Sequence, residues 1–352
     1  MPAPDFERFE IRAATTEHRP QVRELARLLN TVNLPDDAHA VARLLETSEA
    51  SFAEEIEDPA HREYVFLLYD RHERRAVGTS MIVSQLGRRD APYIYFDVRR
   101  EEKYSATLDR HFVHTLLYTM YSYDGPTELG GLVMDPGYRR RPERLGQLVS
   151  FVRFLFIAMR RAHFRDQLLA ELLPPLEADG TSRLWESVGR RFTGLSYQHA
   201  DKLSRRNKEF IRGLFPDSIY ATLLAPETQA QIGKVGPQTL GVAKILSRIG
   251  FRYAERVDPF DGGPHFIAAT DEVTIIKRAS PCVLVAGEAS LAAIEGLPTM
   301  LIGTSSTEAP YFVAVPGPVR LADGIAHVSG ATRARLELLG SGSQAWCAPI
   351  AG

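Results

Sequence analysis

The sequence predicts an α+β protein in which helices flank a mixed β-sheet. Short apolar runs bounded by turn residues, such as residues 64–69, are typical of buried strands. Residues 145–164 instead repeat apolar side chains at helical spacing, which predicts an amphipathic helix. Both patterns recur through the first 280 residues of this 352-residue chain. A chain of that length is expected to form two or three domains.

The first elements in chain order are two helices and a β-hairpin. Residues 19–45 repeat leucine and valine at helical spacing, and Leu34-Pro35-Asp36 interrupts the repeat, so two helices are expected. Residues 64–69 and 76–85 are separated by a polar turn and predict a hairpin. Residues 92–98 alternate in polarity and predict a third strand.

A fourth strand, a turn and a long helix follow. The strand is predicted over residues 127–134 and ends at Asp135-Pro136-Gly137, a strong turn signal. The helix is predicted over 145–164, and residues 168–173 predict a further short strand.

Later elements are shorter. Helices are expected at 184–192, 227–235 and 239–249, and a strand at 251–257. Trp185 and Phe192 are expected in the core. The last seventy residues are rich in Gly, Ser, Ala, Pro, Val and Thr, which predicts a small β-rich C-terminal appendage with one helix near 290–294.

The composition excludes several classes of protein. The 42 Lys and Arg against 44 Asp and Glu give a net charge of −2, whereas nucleic-acid binders usually have a strong basic excess. Apolar and charged fractions of 44% and 24% are ordinary for a globular protein. No run of 18 apolar residues is present, so no membrane partner is expected. The N-terminus lacks the apolar core of a secretory signal, which predicts a cytoplasmic protein.

Cysteine usage also limits the possibilities. Cys282 and Cys347 are the two cysteines, which excludes a disulfide scaffold and a four-cysteine zinc site. Two buried free thiols are expected in a reducing compartment, with a single bridge as the alternative. No His, Cys and carboxylate residues follow one another at metal-ligand spacing, so no metal is expected.

The strongest chemical signal is a concentration of positive charge after the fourth strand. Between Gly137 and Arg165 the chain has eight arginines and one acid. Four of these arginines directly precede the predicted helix: Arg139, Arg140, Arg141 and Arg144. A helix N-terminus offers unpaired N–H groups and partial positive charge, so this turn could cradle a phosphate or pyrophosphate. The alternative is a solvated basic turn in an arginine-rich chain.

Two motifs and several longer segments resemble known families. Arg141-x-x-Arg144-x-Gly146 resembles the loop with which the GCN5-related N-acetyltransferase fold binds the pyrophosphate of coenzyme A. Phe260-Asp-Gly-Gly-Pro264 and Trp185-x-x-x-Gly189-x-x-Phe192 resemble segments of the arginine N-succinyltransferase family. Further similar segments occur in family order from about residue 10 to residue 280, at 64–66, 127–139, 153–156, 198–201, 208–211, 219–220, 231–235, 237–239, 250–253 and 257–264.

The resemblance implies a GCN5-like acyltransferase fold and a reaction. Residues 246–253 are similar to the helix-to-strand ending of such folds, which implies a tandem arrangement. Succinyl would pass directly from succinyl-CoA to the α-amine of L-arginine, without a metal. Backbone N–H groups beside Leu132 and Val133 would bind the thioester oxygen. The acyl-CoA-binding residues implied are Leu132, Val133, Met134, Arg139, Arg141, Arg144, Gly146 and Gln147.

Three residues are candidates for the proton transfers of such a reaction. Glu128 opens the fourth strand and could bind or deprotonate the amine, with a strand-edge ion pair as the alternative. Tyr220 could protonate the leaving thiolate, or be a half-buried core aromatic. His265 could reach the site, or be a surface-loop histidine. Asp258 and Asp261 could attract a guanidinium or stabilise a turn.

The chain departs from the family at three landmarks, the first being Arg144, which stands where the pyrophosphate-binding loop has its first glycine. The proton-donor histidine of the family is Gly236 here, and an arginine after a strand end is Leu173. Losing a general acid or base typically costs about 10²–10⁴-fold in rate, so restoring histidine at position 236 is expected to raise activity. Two alternative functions follow: transfer involving another acyl group or amine, and a non-catalytic subunit paired with a related enzyme chain.

Three segments are expected along the chain. Residues 1–198 would form the acyl-CoA-binding GCN5-like domain, residues 199–280 a second half that completes the site, and residues 281–352 the β-rich segment. The family implies a homo-oligomer or pairing with a related subunit.

Overall fold

A computed structural model describes residues 4–28, 34, 36–89, 91–204, 207–286, 297–337 and 344–350. The chain divides into two compact units. The first unit comprises Met1–Gln85, Leu129–Asp166 and Ala269–Gly352, and the second comprises Leu86–Glu128 and Gln167–Ala268. The boundaries predicted after residues 198 and 280 do not coincide with the boundaries of these units. The division of the chain into three functional segments stays a prediction.

The described residues contain both kinds of regular element. The strands are β1 (Phe9–Ala13), β2 (Glu63–Asp70), β3 (Arg75–Val83), β4 (Tyr93–Ser105), β5 (Arg110–Ser122), β6 (Thr127–Met134), β7 (Gln167–Glu171), β8 (Ser218–Tyr220), β9 (Arg252–Val257), β10 (Pro264–Ala269), β11 (Ser280–Ala286), β12 (Thr299–Ser305), β13 (Phe312–Pro318), β14 (Arg320–Ala322), β15 (Ile325–Val328) and β16 (Gln344–Pro349). The α-helices are α1 (Arg19–Ala26), α2 (Ala38–Phe52), α3 (Leu145–Met159), α4 (Arg190–Thr193), α5 (Tyr197–Ser204), α6 (Glu209–Leu214), α7 (Pro226–Gln231), α8 (Leu240–Arg248), α9 (Thr274–Arg278) and α10 (Gly330–Glu337).

The first unit is a predominantly antiparallel sheet with helices packed on it. Its strands follow the order β14-β15-β11-β16-β12-β13-β1-β2-β3-β6. The neighbours β1–β2, β2–β3 and β12–β13 are antiparallel, and β11–β15 is parallel. The C-terminal segment is rich in strands, as predicted. It is continuous with the N-terminal strands, because Ile11 of β1 pairs with Ala314 of β13.

The N-terminal helices confirm the predicted pair. Asp37 begins α2 by accepting a hydrogen bond from Ala40 N at 2.7 Å, a typical N-terminal cap. Val41 and Leu45 of α2 are fully buried in one cluster with Val65 and Leu67 of β2. The apolar stripe of α2 therefore packs on the sheet, as its spacing indicates. The predicted helix at 290–294 lies outside the described residues.

The second unit has the strand order β7-β10-β9-β4-β5-β8. Its main feature is the long β4–β5 hairpin, paired from Tyr93–Ser122 to Ser105–Arg110. The sequence predicts only the first part of β4, because residues 99–103 are charged and lack an apolar alternation, and it misses β5 and β10. Thr127 and Glu128 of β6 pair in parallel with Leu168 and Leu169 of β7 within this unit.

The core of the second unit contains Trp185, as expected. The Trp185 ring is fully buried and stacks on Phe260 with 5.0 Å between ring centroids. Phe192 is 45% exposed, so the expectation that it lies in the core is wrong. The segment from Trp185 to Gly189 is a π-helical turn that leads into α4. Among the described residues, no helix combines the length and apolarity that crossing a membrane requires.

Candidate functional site

The end of β6 is shaped by a glycine. Gly131 has φ of +55°, a backbone conformation that side chains rarely adopt. A Cβ there would lie 2.7 Å from Met81 Cγ. The strand therefore bends just before Leu132, Val133 and Met134, of which Val133 is buried and the other two are half-buried. Their backbone role in binding a thioester stays a prediction.

The turn after β6 is anchored to the body of the first unit. Asp135 accepts a hydrogen bond from Gly137 N at 2.8 Å and forms an ion pair with Arg75. The buried hydroxyl of Tyr138 donates to Asp70 at 2.8 Å. Desolvation opposes ionisation of Asp70, but hydrogen bonds from Arg8 and Tyr138 outweigh it and lower its pKa to about 2. This fixed carboxylate holds the start of the basic turn in place.

The arginines of the basic turn divide into two kinds. Arg139, Arg140 and Arg144 are exposed. Arg141 pairs with the buried Glu143 at 3.2 Å, and its guanidinium lies 5.2 Å from the centre of the Phe9 ring. Arg141 is thus engaged within the protein. Arg139 is exposed and donates one long hydrogen bond to Met134 O at 3.5 Å, and Arg140 and Arg144 are exposed to solvent.

The N-terminus of α3 is open. Arg144 precedes the helix in the left-handed conformation, and its side chain does not cap the first turn. A Cβ at Gly146 would meet nothing within 4 Å. The helix dipole and the exposed Arg139 and Arg144 therefore favour an anion here. Gln147 is different, because its amide donates to Ile350 O at 2.7 Å.

The second unit contains a group of acidic residues around one histidine, which we call the acidic cluster: Glu128, Glu171, Asp258, Asp261 and His265. Glu128 and Asp261 are buried, His265 is completely buried, and the Glu171 side chain is 33% exposed. Glu171 ends β7, and His265 lies in β10, whose Pro264 O accepts a hydrogen bond from Leu172 N. Adjacent strand ends thus bring the side chains together.

The Phe260-Asp-Gly-Gly-Pro264 segment forms the turn that orients the two aspartates. Asp258 Oδ1 accepts hydrogen bonds from Phe260 N at 2.7 Å and Asp261 N at 3.2 Å. Asp261 Oδ1 accepts from Gly263 N at 2.7 Å. A Cβ at Gly263 would lie 2.5 Å from Leu172 O, so glycine is needed for the close approach to the chain after β7.

His265 is held by Tyr93. The Tyr93 hydroxyl lies 2.9 Å from His265 Nδ1, and His265 Nε2 lies 3.3 Å from Glu171 Oε1. Burial, aided by the charges of Arg256 and Lys208, lowers the pKa of His265 to about 3. The imidazole is therefore neutral at pH 7, and a surface-loop position for His265 is wrong.

Three carboxyl groups of the cluster, those of Glu171, Asp258 and Asp261, resist ionisation. Desolvation, followed by the charges of Glu128 and Asp258, raises the pKa of Glu171 well above its usual range. Desolvation and the charge of Asp258 do the same to the pKa of Asp261. The cluster therefore has a strong electrostatic preference for a bound cation or for protons.

The three predicted catalytic residues do not all meet. Glu128 and His265 both neighbour Glu171 in the acidic cluster. Tyr220 instead donates a hydrogen bond to Glu101 at 2.7 Å, which raises the pKa of its phenol. The sequence interpretation missed Glu171 and Tyr93. Tyr93 lacks any motif, and Glu171 is visible only as the polar end of a short apolar strand.

The backbone around Gly236, where the resemblance predicts a histidine in the family, leaves no room for a side chain. Gly236 N donates to Leu173 O at 2.8 Å. A Cβ would lie 2.6 Å from Pro174 O and 2.8 Å from Leu173 O. Thr239 Oγ1 also donates to Leu173 O, at 2.9 Å. These hydrogen bonds hold the backbone of Leu173 and Pro174 in the space that a side chain at position 236 would occupy.

Known proteins share this sequence and architecture. The family model described as arginine N-succinyltransferase beta subunit matches residues 9–275. An arginine N-succinyltransferase of Yersinia pestis (strain Pestoides F) is 36% identical over 245 residues, which cover 69% of this chain and 68% of the relative. One from Citrobacter koseri is 32% identical over 258 residues, or 73% and 74% of the two chains.

A solved structure extends the similarity to the whole chain. Arginine/ornithine succinyltransferase subunit AI from Pseudomonas aeruginosa matches with a TM-score of 0.82 and 27% identity, covering 98% of this chain and 99% of that one. The fold is thus that of an acyltransferase subunit, and the predicted α+β class is confirmed. The family match over residues 9–275 then makes the chain a member of the arginine N-succinyltransferase family.

Proposed function

We propose that the protein transfers the succinyl group of succinyl-CoA to the α-amine of L-arginine in the cytoplasm. The observation that carries the proposal is the open N-terminus of α3, with Arg139 and Arg144 exposed beside it, directly after β6 of a chain from this family. Backbone N–H groups and arginines recognise the pyrophosphate of coenzyme A well. The donor would bind with its thioester near Leu132–Met134.

The chemical step forms one bond and breaks one. The neutral amine attacks the thioester carbon, a C–N bond forms, and the C–S bond breaks with release of the coenzyme A thiolate. Backbone N–H groups beside Leu132 and Val133 would stabilise the oxyanion. Glu128, earlier in the same strand, would accept the amine proton, and the thiolate would take a proton from solvent. His265, neutral at pH 7, is unsuited to donate a proton.

The reaction is tested by incubating the purified chain with succinyl-CoA and L-arginine and measuring free thiol. Thiol release that depends on arginine, with N-succinylarginine found by mass spectrometry, is the expected result. No release above background at high enzyme concentration would exclude the activity for the isolated chain.

The acyl-CoA site is tested separately by binding. Arg144→Gln removes one charge-assisted hydrogen bond, which is worth about 1.5–3 kcal/mol, so the Kd for succinyl-CoA should rise by about 10-fold or more. Arg140→Gln is the matched control, because Arg140 is exposed in the same turn and also has positive φ. Equal effects of the two substitutions would point to general charge rather than a specific pyrophosphate contact.

Two other functions have specific support. Gly236 and Leu173 replace family landmarks, which favours another amine or acyl group; a panel of amines and acyl-CoA donors that yields turnover with a different pair would establish it. The Pseudomonas relative is named as a subunit, which favours a paired assembly. Weak activity alone that recovers on mixing with a related chain would establish that function, and full activity of the isolated chain would exclude it.

A further inference from the structure

Three members of the acidic cluster have the donor set of a metal site. Glu171, Asp258 and His265 each offer one ligand atom, and these atoms all lie within 4.8 Å of one another. Ligand atoms of one tetrahedral ion, each at about 2.0–2.2 Å from it, are about 3.3–3.6 Å apart, so the group would have to contract by up to about 1 Å to close on an ion. The expectation that no metal binds was based on spacing along the sequence. Such spacing cannot show that three residues distant in the sequence lie close together in the fold.

An unsatisfied nitrogen points into this group. His265 is completely buried, and its Nε2 has no hydrogen-bond partner in the described structure. Nε2 nevertheless lies 3.3 Å from Glu171 Oε1. The other ring nitrogen lies 2.9 Å from the Tyr93 hydroxyl. With Nδ1–H donating to Tyr93, Nε2 presents a lone pair to the carboxylates, the arrangement of histidine in metal sites.

The local charge also calls for a cation. Glu128 and Asp261 place two further carboxyl groups next to the three donors. Lys208 and Arg256 are among the cationic groups whose charge reaches the cluster. Neither forms an ion pair with Glu171 or Asp258 in the part of the chain that the structure describes. Two carboxylates beside a lone pair are unfavourable unless a cation or protons separate them.

The geometry leaves room for exchange with solvent. Asp258 Oδ1 is occupied by two backbone N–H groups, so Oδ2 is the oxygen that remains for a ligand. The Glu171 side chain is 33% exposed, which gives the cluster an open side. Three protein ligands and an open position are typical of metal sites that keep a bound water or substrate.

We propose that Glu171, Asp258 and His265 bind one divalent first-row metal ion, of the Zn²⁺ or Mn²⁺ type. A neutral imidazole and two carboxylates suit these ions. Tyr93 is a positioning residue that fixes the His265 ring through Nδ1. The site is independent of the succinyl-transfer proposal, since binding can be measured without acyl-CoA or turnover.

The test uses the full chain after dialysis against a chelator. Mn²⁺ binding is followed by electron paramagnetic resonance and Zn²⁺ binding by calorimetry. One equivalent should bind, and ¹⁴N coupling in the spin-echo spectrum of bound Mn²⁺ should report the imidazole. Absence of stoichiometric binding of both ions, or bound Mn²⁺ without nitrogen coupling, would overturn the proposal.

Variants locate the site. Asp258→Asn and His265→Gln should weaken binding at least 10-fold, and Tyr93→Phe about 10-fold, as loss of an outer partner does. His199→Gln, at an exposed histidine of α5 in the same unit, should leave binding unchanged. Tyr93→Phe removes only the hydroxyl group and keeps the aromatic ring, so the protein is expected to fold. This variant therefore still tests the site if His265→Gln does not fold. Unchanged metal binding in Tyr93→Phe and Asp258→Asn, or binding of L-arginine but no metal at the cluster, would refute the assignment.

Discussion

Gly236→Ala measures how tightly the backbone packs around Gly236. The added Cβ would lie 2.6 Å from Pro174 O and 2.8 Å from Leu173 O. Both atoms belong to the backbone, and Leu173 O already accepts hydrogen bonds from Gly236 N and Thr239 Oγ1. Leu173 O cannot move away without breaking those bonds, and Pro174 O accepts a hydrogen bond from Gln238 Nε2 at 3.3 Å.

The expected cost follows from these contacts. Forcing an extra carbon into a packed site typically costs about 1–3 kcal/mol. Alanine also lowers the conformational entropy of the unfolded chain, which offsets about 0.4–1 kcal/mol of this cost. Gly236→Ala should therefore lower the free energy of unfolding by about 1–2 kcal/mol.

Urea unfolding, followed by tryptophan fluorescence, measures this change. Gly241→Ala is the control, because a Cβ at this exposed position in α8 would meet nothing within 4 Å. Alanine there should stabilise the protein by up to about 1 kcal/mol. A Gly236→Ala protein as stable as wild type would refute the steric argument.

The same contacts bear on activity. Gly236→His introduces the same Cβ, so we expect it to lose stability instead of simply gaining the rate that the sequence comparison predicts. A stable Gly236→His protein with faster arginine succinylation would contradict this expectation and show that the backbone around Leu173 can relax.

Three further predictions concern stability. Asp70 has a pKa of about 2 against an ordinary 3.8, so it contributes about 2 kcal/mol to the free energy of unfolding. This contribution is present above pH 4 and is lost as the pH falls towards 2. In urea unfolding between pH 4 and pH 2, the free energy of unfolding should therefore decrease less in Asp70→Asn than in the wild-type protein. Trp185→Ala removes a fully buried ring stacked on Phe260 and should cost about 3–5 kcal/mol, measured by calorimetry. Gly131→Ala combines φ of +55° with a 2.7 Å approach to Met81 and should lower the melting temperature, whereas no change would mean that β6 tolerates a regular strand there.

Local patterns predicted the elements that pack apolar residues on one side. The two N-terminal helices, the β2–β3 hairpin, β6 and the start of α3 lie where the spacing of apolar residues indicates. The prediction of α3 extends beyond its end at Met159, since residues 161–163 form a separate turn. The outer part of the β4–β5 hairpin was missed because most of its side chains are exposed and leave no apolar pattern, and β5 was missed as a whole although Leu116 and Leu117 are buried.

The candidate site was predicted only in part. The arginines before α3 are adjacent in sequence, so their grouping is visible without a structure. The sequence does not show which of these arginines are exposed. In the structure Arg141 contacts Glu143 and Phe9, whereas Arg139 and Arg144 are exposed. Side-chain partners of this kind depend on what the rest of the unit places nearby.

The sequence by itself determined the α+β class, the family and the basic turn before α3, because these depend on neighbouring residues and ordered motifs. The tertiary structure decided two things that spacing cannot encode. Pairing of β7 with its neighbours and the turn before β10 gather Glu171, Asp258 and His265, which are up to 94 positions apart, into one group. Close backbone packing at Leu173 and Pro174 leaves Gly236 no room for a side chain. Both results follow from distances across the fold, which the order of residues alone does not contain.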